Sequence, residues 1–237
     1  MDFSRQSFIN GKLLLINKPI NWTSFQVVNK IRWLIKSNYE IKKIKVGHAG
    51  TLDPLAQGLL IVCTGKLTKK IAKYQDKKKS YFGTFFIGAT TPSFDLETEI
   101  DSTYSIKNID KKKLILASKK FLGKSKQSPP IFSAIKLKGK KLYDYARKGE
   151  NVKLEKREIN IYKFELTNIN LPLVDFEIEC SKGTYIRSLV NDFGKAMNNG
   201  AYMSGLRRTA IGEFSINDAH GVEELKEIIK LSLTNQG

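Results

Sequence analysis

The stretch from Gly47 to Gly58, G-H-A-G-T-L-D-P-L-A-Q-G, runs directly into Leu59–Cys63, the longest uninterrupted apolar run of the chain. Three glycines and a proline leave the stretch no regular structure, so it must be a loop held in unusual backbone conformations. The apolar run after it reads as a core strand. A loop of this kind delivers its one acid, Asp53, to the end of a buried strand. Asp before Pro is also a common turn device, so local chemistry alone leaves Asp53 either structural or functional.

Around that pair of features the elements do not alternate as βαβ units. Residues 11–17 read as a short strand ending at Lys18-Pro19. A helix then begins at Thr23 or Ser24, with Phe25, Val28, Ile31, Leu34 and Ile35 at helical spacing. Residues 65–79, 109–121, 143–147, 185–197 and 222–233 read as further helices. Residues 81–88, 131–137, 159–167, 173–180 and 206–214 read as strands, with Val174, Phe176, Ile178 and Cys180 alternating. The irregular mixture predicts an α+β fold around a mixed, largely antiparallel sheet. There is no internal repeat, and the only weak boundaries are near Thr90–Thr103 and at Gly221.

Charge narrows the class. Lys plus Arg number 41 against 23 Asp plus Glu, a formal net charge of +18. Such a surplus points to a polyanionic partner, because neutralised phosphates release counterions; a lysine-rich compositional bias is the other reading. Cys63 and Cys180 are isolated within apolar stretches, which suits reduced buried thiols. His48 and His220 have no Cys or His at metal-ligand spacing, so no metal site is expected. The N-terminus lacks the basic and apolar regions of a signal peptide, and the apolar runs fall far short of the ~20 residues of a membrane span. The expectation is a cytoplasmic protein, with nothing requiring more than a monomer.

The motifs resemble, in order along the chain, those of the bacterial TruB family of tRNA pseudouridine-55 synthases. The 47–58 loop resembles that family's signature. Leu14–Pro19 (LLINKP) resembles its Lys-Pro motif, with Asn17 where Asp is more usual, and Lys79-Ser80-Tyr81 resembles its Lys-x-Tyr motif. Ser133–Lys136 with Gly139–Gly149 resembles its middle block, and Cys180–Leu189 with Leu206-Arg207-Arg208 its late blocks.

The resemblance implies a pseudouridine-synthase catalytic domain over residues 1–214, then a short helical tail over 215–237 too small for a PUA domain. It implies isomerisation of uridine 55 in the T-loop of tRNA, with Asp53 as nucleophile and neither cofactor nor metal. Arg187 is implied as the ion-pair partner of Asp53. Tyr81, Tyr185 and Leu206 would form the base pocket, and Tyr81 could also help remove a proton. His48 would support the flipped-out nucleotide. Lys18 is a further candidate at the substrate, although a structural role is open to it. Residues 66–79 and Arg207-Arg208 would face phosphates. The segment Thr91–Glu99 follows the family pattern only loosely. A tRNA-binding folding chaperone on the same scaffold is the alternative reading.

Overall fold

A computed structural model describes residues 2–133, 136–137, 139–146, 148, 150 and 154–234 of the chain. Ala134, Ile135, Arg147 and Gly149 of the middle block lie outside the described residues. The chain opens with helix α1 (Arg5–Asn10), strand β1 (Leu13–Lys18) and helix α2 (Ser24–Tyr39). Strands β2 (Val46–His48) and β3 (Ala56–Thr64) take both ends of the stretch expected as a loop over Gly47–Gly58, which leaves residues 49–55 as the loop itself. A 3-10 turn (Gly65–Lys70) and helix α3 (Ile71–Gln75) stand where one helix over 65–79 was expected, and β4 (Lys79–Ile87) follows. Then come β5 (Ala89–Thr90), β6 (Ser102–Thr103), α4 (Lys111–Lys119), β7 (Gly123–Gln127), β8 (Lys136–Leu137), β9 (Lys140–Lys141) and α5 (Leu142–Ala146). The chain continues through β10 (Arg157–Asn170), β11 (Leu173–Cys180), α6 (Ile186–Ala196), β12 (Ala201–Ile211), β13 (Phe214–Ser215) and α7 (Val222–Thr234).

The class is α+β, and the strand pairs β1–β3, β2–β3, β7–β10, β10–β11 and β12–β13 are all antiparallel. The chain divides into two compact units, Met1–Tyr81 with Arg207–Gly237, and Phe82–Leu206. The divisions fall inside β4 and β12.

In the first unit the strand order is β1-β3-β12, with β2 on β3 and β13 on β12. The uninterrupted apolar run of β3 serves two cores, because successive side chains point to opposite faces. Leu60 and Val62 pack with Ile31, Leu34 and Ile35 of α2 and with Leu225 and Ile229 of α7. Leu59, Ile61 and Cys63 pack with Ala49 and Ile211. Helix α2 starts where it does because Thr23 and Gln26 form a capping box, each satisfying a backbone N–H of the other's residue. Helix α7 turns Val222, Leu225 and Ile229 inward, so the segment expected as a tail contributes to this core.

In the second unit the order is β12-β4-β11-β10-β7. Strand β11 buries Val174, Phe176, Ile178 and Cys180, the alternation its sequence shows. Phe85 and Phe164 converge there on Phe193 of α6, with ring centroids 5.2 Å and 5.8 Å away, and Phe176 packs against both Phe85 and Phe164. Strand β7 is not visible as a strand in the sequence. Its first four residues are exposed and it is the edge strand, so backbone pairing to β10 holds it without an apolar face. The expected strand over 131–137 is corrected: residues 131–133 are bends, and Lys136–Leu137 pair with Lys140–Lys141.

Candidate active site

In the first unit the site is built on the loop between β2 and β3. His48 ends β2 opposite Val62, and the Ala49 N–H donates to the Ile61 carbonyl at 2.9 Å before the chain leaves the ladder. From there each of five successive carbonyls is held. The guanidinium of Arg208 donates to Gly50 O at 3.0 Å and to Thr51 O at 3.5 Å. Ser24, the first residue of α2, takes both polar groups of Leu52: it donates to the carbonyl at 3.1 Å and accepts from the N–H at 2.9 Å. The Ala56 N–H closes a turn on Asp53 O at 3.1 Å. Pro54 O accepts from the Asn21 N–H at 2.9 Å and from Lys18 Nζ at 3.3 Å. Asp53 is therefore carried on a backbone with no loose carbonyl around it, and its side chain is half-buried.

Two cations lie beneath this loop. Lys18 is fully buried, and its ammonium also donates to Pro19 O at 2.9 Å and to Trp22 O. Burial brings that ammonium down to about 8, the charge of Asp53 opposing the fall and that of Arg208 adding to it. Enclosed by three carbonyls, the Lys18 ammonium holds the backbone beneath the loop. The alternation along β1, where Leu14, Ile16 and Lys18 are the buried positions, carried that signal in the sequence.

Arg208 is 1% exposed, and its Nε donates to Leu59 O at 2.7 Å. The expected phosphate-facing role of Arg208 is thereby corrected, whereas Arg207 is exposed. Lys79 is corrected likewise: it is buried, and its ammonium is spent on Gln75 O and Lys77 O. Lys66, Lys69, Lys70 and Lys73 are exposed. Glycine at 58 is obligatory for this arrangement. Its φ is +106°, and a Cβ there would meet Arg208 O at 2.4 Å and Arg208 N at 2.8 Å.

His48 is half-buried, with Nδ1 sequestered and without a hydrogen-bond partner among the described residues. Burial holds its imidazole below the usual histidine range; Arg208 reinforces this and a backbone hydrogen bond to Gly50 opposes it. At neutral pH His48 is neutral. Tyr81, in β4, is 8% exposed. Burial pushes the Cys63 thiol up to about 11, which keeps it unreactive.

In the second unit Arg187 is the second residue of α6 and is 4% exposed. It forms an ion pair with Asp95 Oδ2 at 3.3 Å and donates to Ser93 O at 2.9 Å and Phe132 O at 3.0 Å. Asp95 is itself buried, and its other carboxylate oxygen accepts from the Glu97 N–H at 2.9 Å. The loop around it is closed by its own hydroxyls: Thr91 donates to Asp95 O at 2.7 Å, and Ser93 lies 2.8 Å from Thr98 Oγ1. Tyr185 caps α6 and exchanges two hydrogen bonds with the buried Gln127, its N–H donating at 2.8 Å and its carbonyl accepting at 3.0 Å. The Arg157 guanidinium lies 5.5 Å from the Tyr185 ring centroid. Leu206 is half-buried on β12.

The family model for the TruB family pseudouridylate synthase N-terminal domain matches residues 36–186. The chain belongs to the TruB family. The model for the tRNA pseudouridylate synthase B C-terminal domain matches residues 187–235. Over 226 residues the chain is 52% identical to the tRNA pseudouridine synthase B of Flavobacterium johnsoniae, covering 95% of this chain and 99% of that one. It is 50% identical to the protein of the same name from Phocaeicola vulgatus, covering 93% and 94%. Among solved structures it is similar to a Cbf5-Nop10-Gar1 complex, with 27% identity and a TM-score of 0.68 over 94% of this chain and 56% of that one. An H/ACA RNP bound to a substrate RNA containing 2'-deoxyuridine shares the fold, with a TM-score of 0.70 at 24% identity over 99% of this chain and 58% of that one.

The TruB motifs thus fall in two groups. Lys18, His48, Asp53 and Tyr81 belong to the first unit, and Tyr185, Arg187 and Leu206 to the second. The part that two residues play at these loops was not read from the sequence. Asp95, the carboxylate on Arg187, lies in the segment that follows the TruB pattern only loosely. Arg208 was read with Arg207 as phosphate-facing, although neighbouring residues on a strand point to opposite faces.

Among the described residues no group of three metal-ligating side chains occurs, and no helix is long and apolar enough to cross a membrane.

Proposed function

We propose that this chain isomerises uridine 55 in the T-loop of tRNA to pseudouridine, with Asp53 as nucleophile. Membership of the TruB family and the two relatives named tRNA pseudouridine synthase B support the reaction. The observation that carries the role of Asp53 is the loop itself, with the backbone from Gly50 to Pro54 held carbonyl by carbonyl around a half-buried carboxylate. Positioning of that kind lowers the barrier by converting encounter into a local step.

The chemistry balances without a cofactor. The N1–C1′ bond breaks, the base turns, and a C5–C1′ bond forms, while the proton on C5 leaves and N1 gains one. No electrons are exchanged with another molecule. Asp53 provides the nucleophile, at C1′ or on the base. Tyr81 stacks on the uracil and takes part in proton removal, and Tyr185, Leu206 and Arg187 have the substrate and catalytic roles that the resemblance to the TruB family implies for them. His48, neutral at the working pH, fills the space left by the flipped nucleotide. Lys18 serves this reaction through the loop it holds. The exposed Lys66, Lys69, Lys70 and Lys73 take phosphates of the T-arm. The working form is a cytoplasmic monomer. No specific observation favours the chaperone alternative.

The test is pseudouridine mapping of an unmodified tRNA transcript incubated with wild-type protein and with Asp53→Asn. Wild type should convert the T-loop uridine without added cofactor. The Asn variant should bind the tRNA and lose at least about a thousandfold in rate. Tight binding without conversion by either protein would transfer the reading to the chaperone.

A further inference from the structure

We propose that Arg208 is a positioning residue for catalysis, setting where the Asp53 carboxylate stands; the proposal rests on the reading that Asp53 performs the chemistry. Among the described residues Arg208 heads the fully buried side chains by size. Its polar contacts among the described residues are three backbone carbonyls, Leu59 O at 2.7 Å, Gly50 O at 3.0 Å and Thr51 O at 3.5 Å. It has no carboxylate partner there. A buried cation without an ion pair is costly, and an apolar side chain of similar volume would fill the same space at less cost. The retained charge therefore serves something other than packing.

The placement of the three carbonyls indicates what it serves. Gly50 and Thr51 lie on the stem that leads to Asp53, and Leu59 lies on the strand that leads away from it. One rigid, planar fork thus ties both stems of the loop together, a task a guanidinium performs and a point charge does not. The backbone of Arg208 contributes as well, since its own N and O approach Gly58 too closely to admit a Cβ. Its charge is also felt at Lys18 and His48, the groups on either side of the loop. Displacing a reacting group by about 1 Å costs on the order of a hundredfold in rate.

The experiment measures tRNA affinity, single-turnover pseudouridine formation and thermal unfolding for wild type, Arg208→Lys and Arg208→Gln. The Lys variant keeps the charge and stem but loses the fork. It should fold, bind tRNA within about threefold of wild type, and react about a hundredfold more slowly in the single turnover. The Gln variant should lose at least as much. A side chain needed only for stability would lower the melting temperature yet leave the folded fraction reacting at the wild-type rate, and that result would overturn the proposal. So would a loss confined to tRNA affinity. Should Arg208→Gln unfold, Arg208→Lys decides; failure of both to fold would assign Arg208 to the fold and likewise overturn it. Inactive wild type, or an active Asp53→Asn, would instead sink the underlying reading of Asp53, and either is visible in the same assay.

Discussion

Two aspartates sit on two irregular loops of this molecule, and the loops are built in opposite ways. Around Asp53 the partners come from other elements, Lys18, Ser24 and Arg208, and all of them hold backbone. The carboxylate is left half-buried. Around Asp95 the loop holds itself through Thr91, Ser93 and Thr98, and the carboxylate is fully enclosed between the Glu97 N–H and Arg187. The first loop spends its interactions on fixing a backbone so that an acid can be presented. The second spends the acid itself on fixing a cation. The contrast is one of construction: one loop is held through its backbone by other elements, and the other closes on itself around an enclosed carboxylate.

The contrast breaks most sharply on stability. Asp95→Asn leaves the buried Arg187 without this ion-pair partner and should cost about 3–5 kcal/mol in chemical denaturation. Asp53→Asn should cost clearly less, and the reverse order would overturn the distinction. Next in size, Gly58→Ala forces a Cβ against the Arg208 backbone at a positive φ and should cost about 2 kcal/mol or more. Because it disturbs the loop, it should also slow the single-turnover rate. Full activity in a destabilised Gly58→Ala would show that the loop tolerates slack.

The smallest effect concerns pH. Lys18 titrates at about 8 in the folded protein and near its ordinary 10.5 when unfolded. Between those values the unfolded chain binds the extra proton, so the Lys18 contribution to stability rises as pH rises through that window and is at its lowest below it. The melting temperature of wild type relative to Lys18→Met should therefore increase by a few degrees from pH 7.5 to 9.5. A constant difference would mean that the ammonium is not desolvated beneath the loop.

Much of this was legible in the chain. The Thr23–Gln26 cap, the apolar run of β3 and the alternation of β11 each follow from a local rule that tertiary context leaves intact. Strand β7 was not legible, because G-K-S-K-Q carries no apolar alternation and its pairing to β10 depends on backbone alone. Arg208 was misread because a basic side chain in a strongly basic protein suggests a phosphate, whereas for Lys18 the sequence leaves a substrate role and a structural role both open. The two-residue period of β1 groups Lys18 with the buried Leu14 and Ile16, whereas burial along β12 follows no such period, so the sequence does not distinguish Arg208 from Arg207. Asp95 was missed because its partner is 92 positions away by residue number, and nothing local distinguishes a counter-ion from a turn-forming Asp.

Strand β3 is apolar toward both of the cores it serves. A strand with one wet face is kept in register by its pattern, since sliding by one residue would expose its apolar set. Here a slip of one would exchange Leu59, Ile61 and Cys63 for Leu60 and Val62 with little change in hydrophobicity. The stops are instead two glycines. Gly58 is pressed against Arg208, and at Gly65, just past the strand, a Cβ would lie 2.1 Å from Ile9 O. The side chains between them should accept one another's identities in sequence libraries, while the two positions that bear no side chain should be the ones that cannot drift.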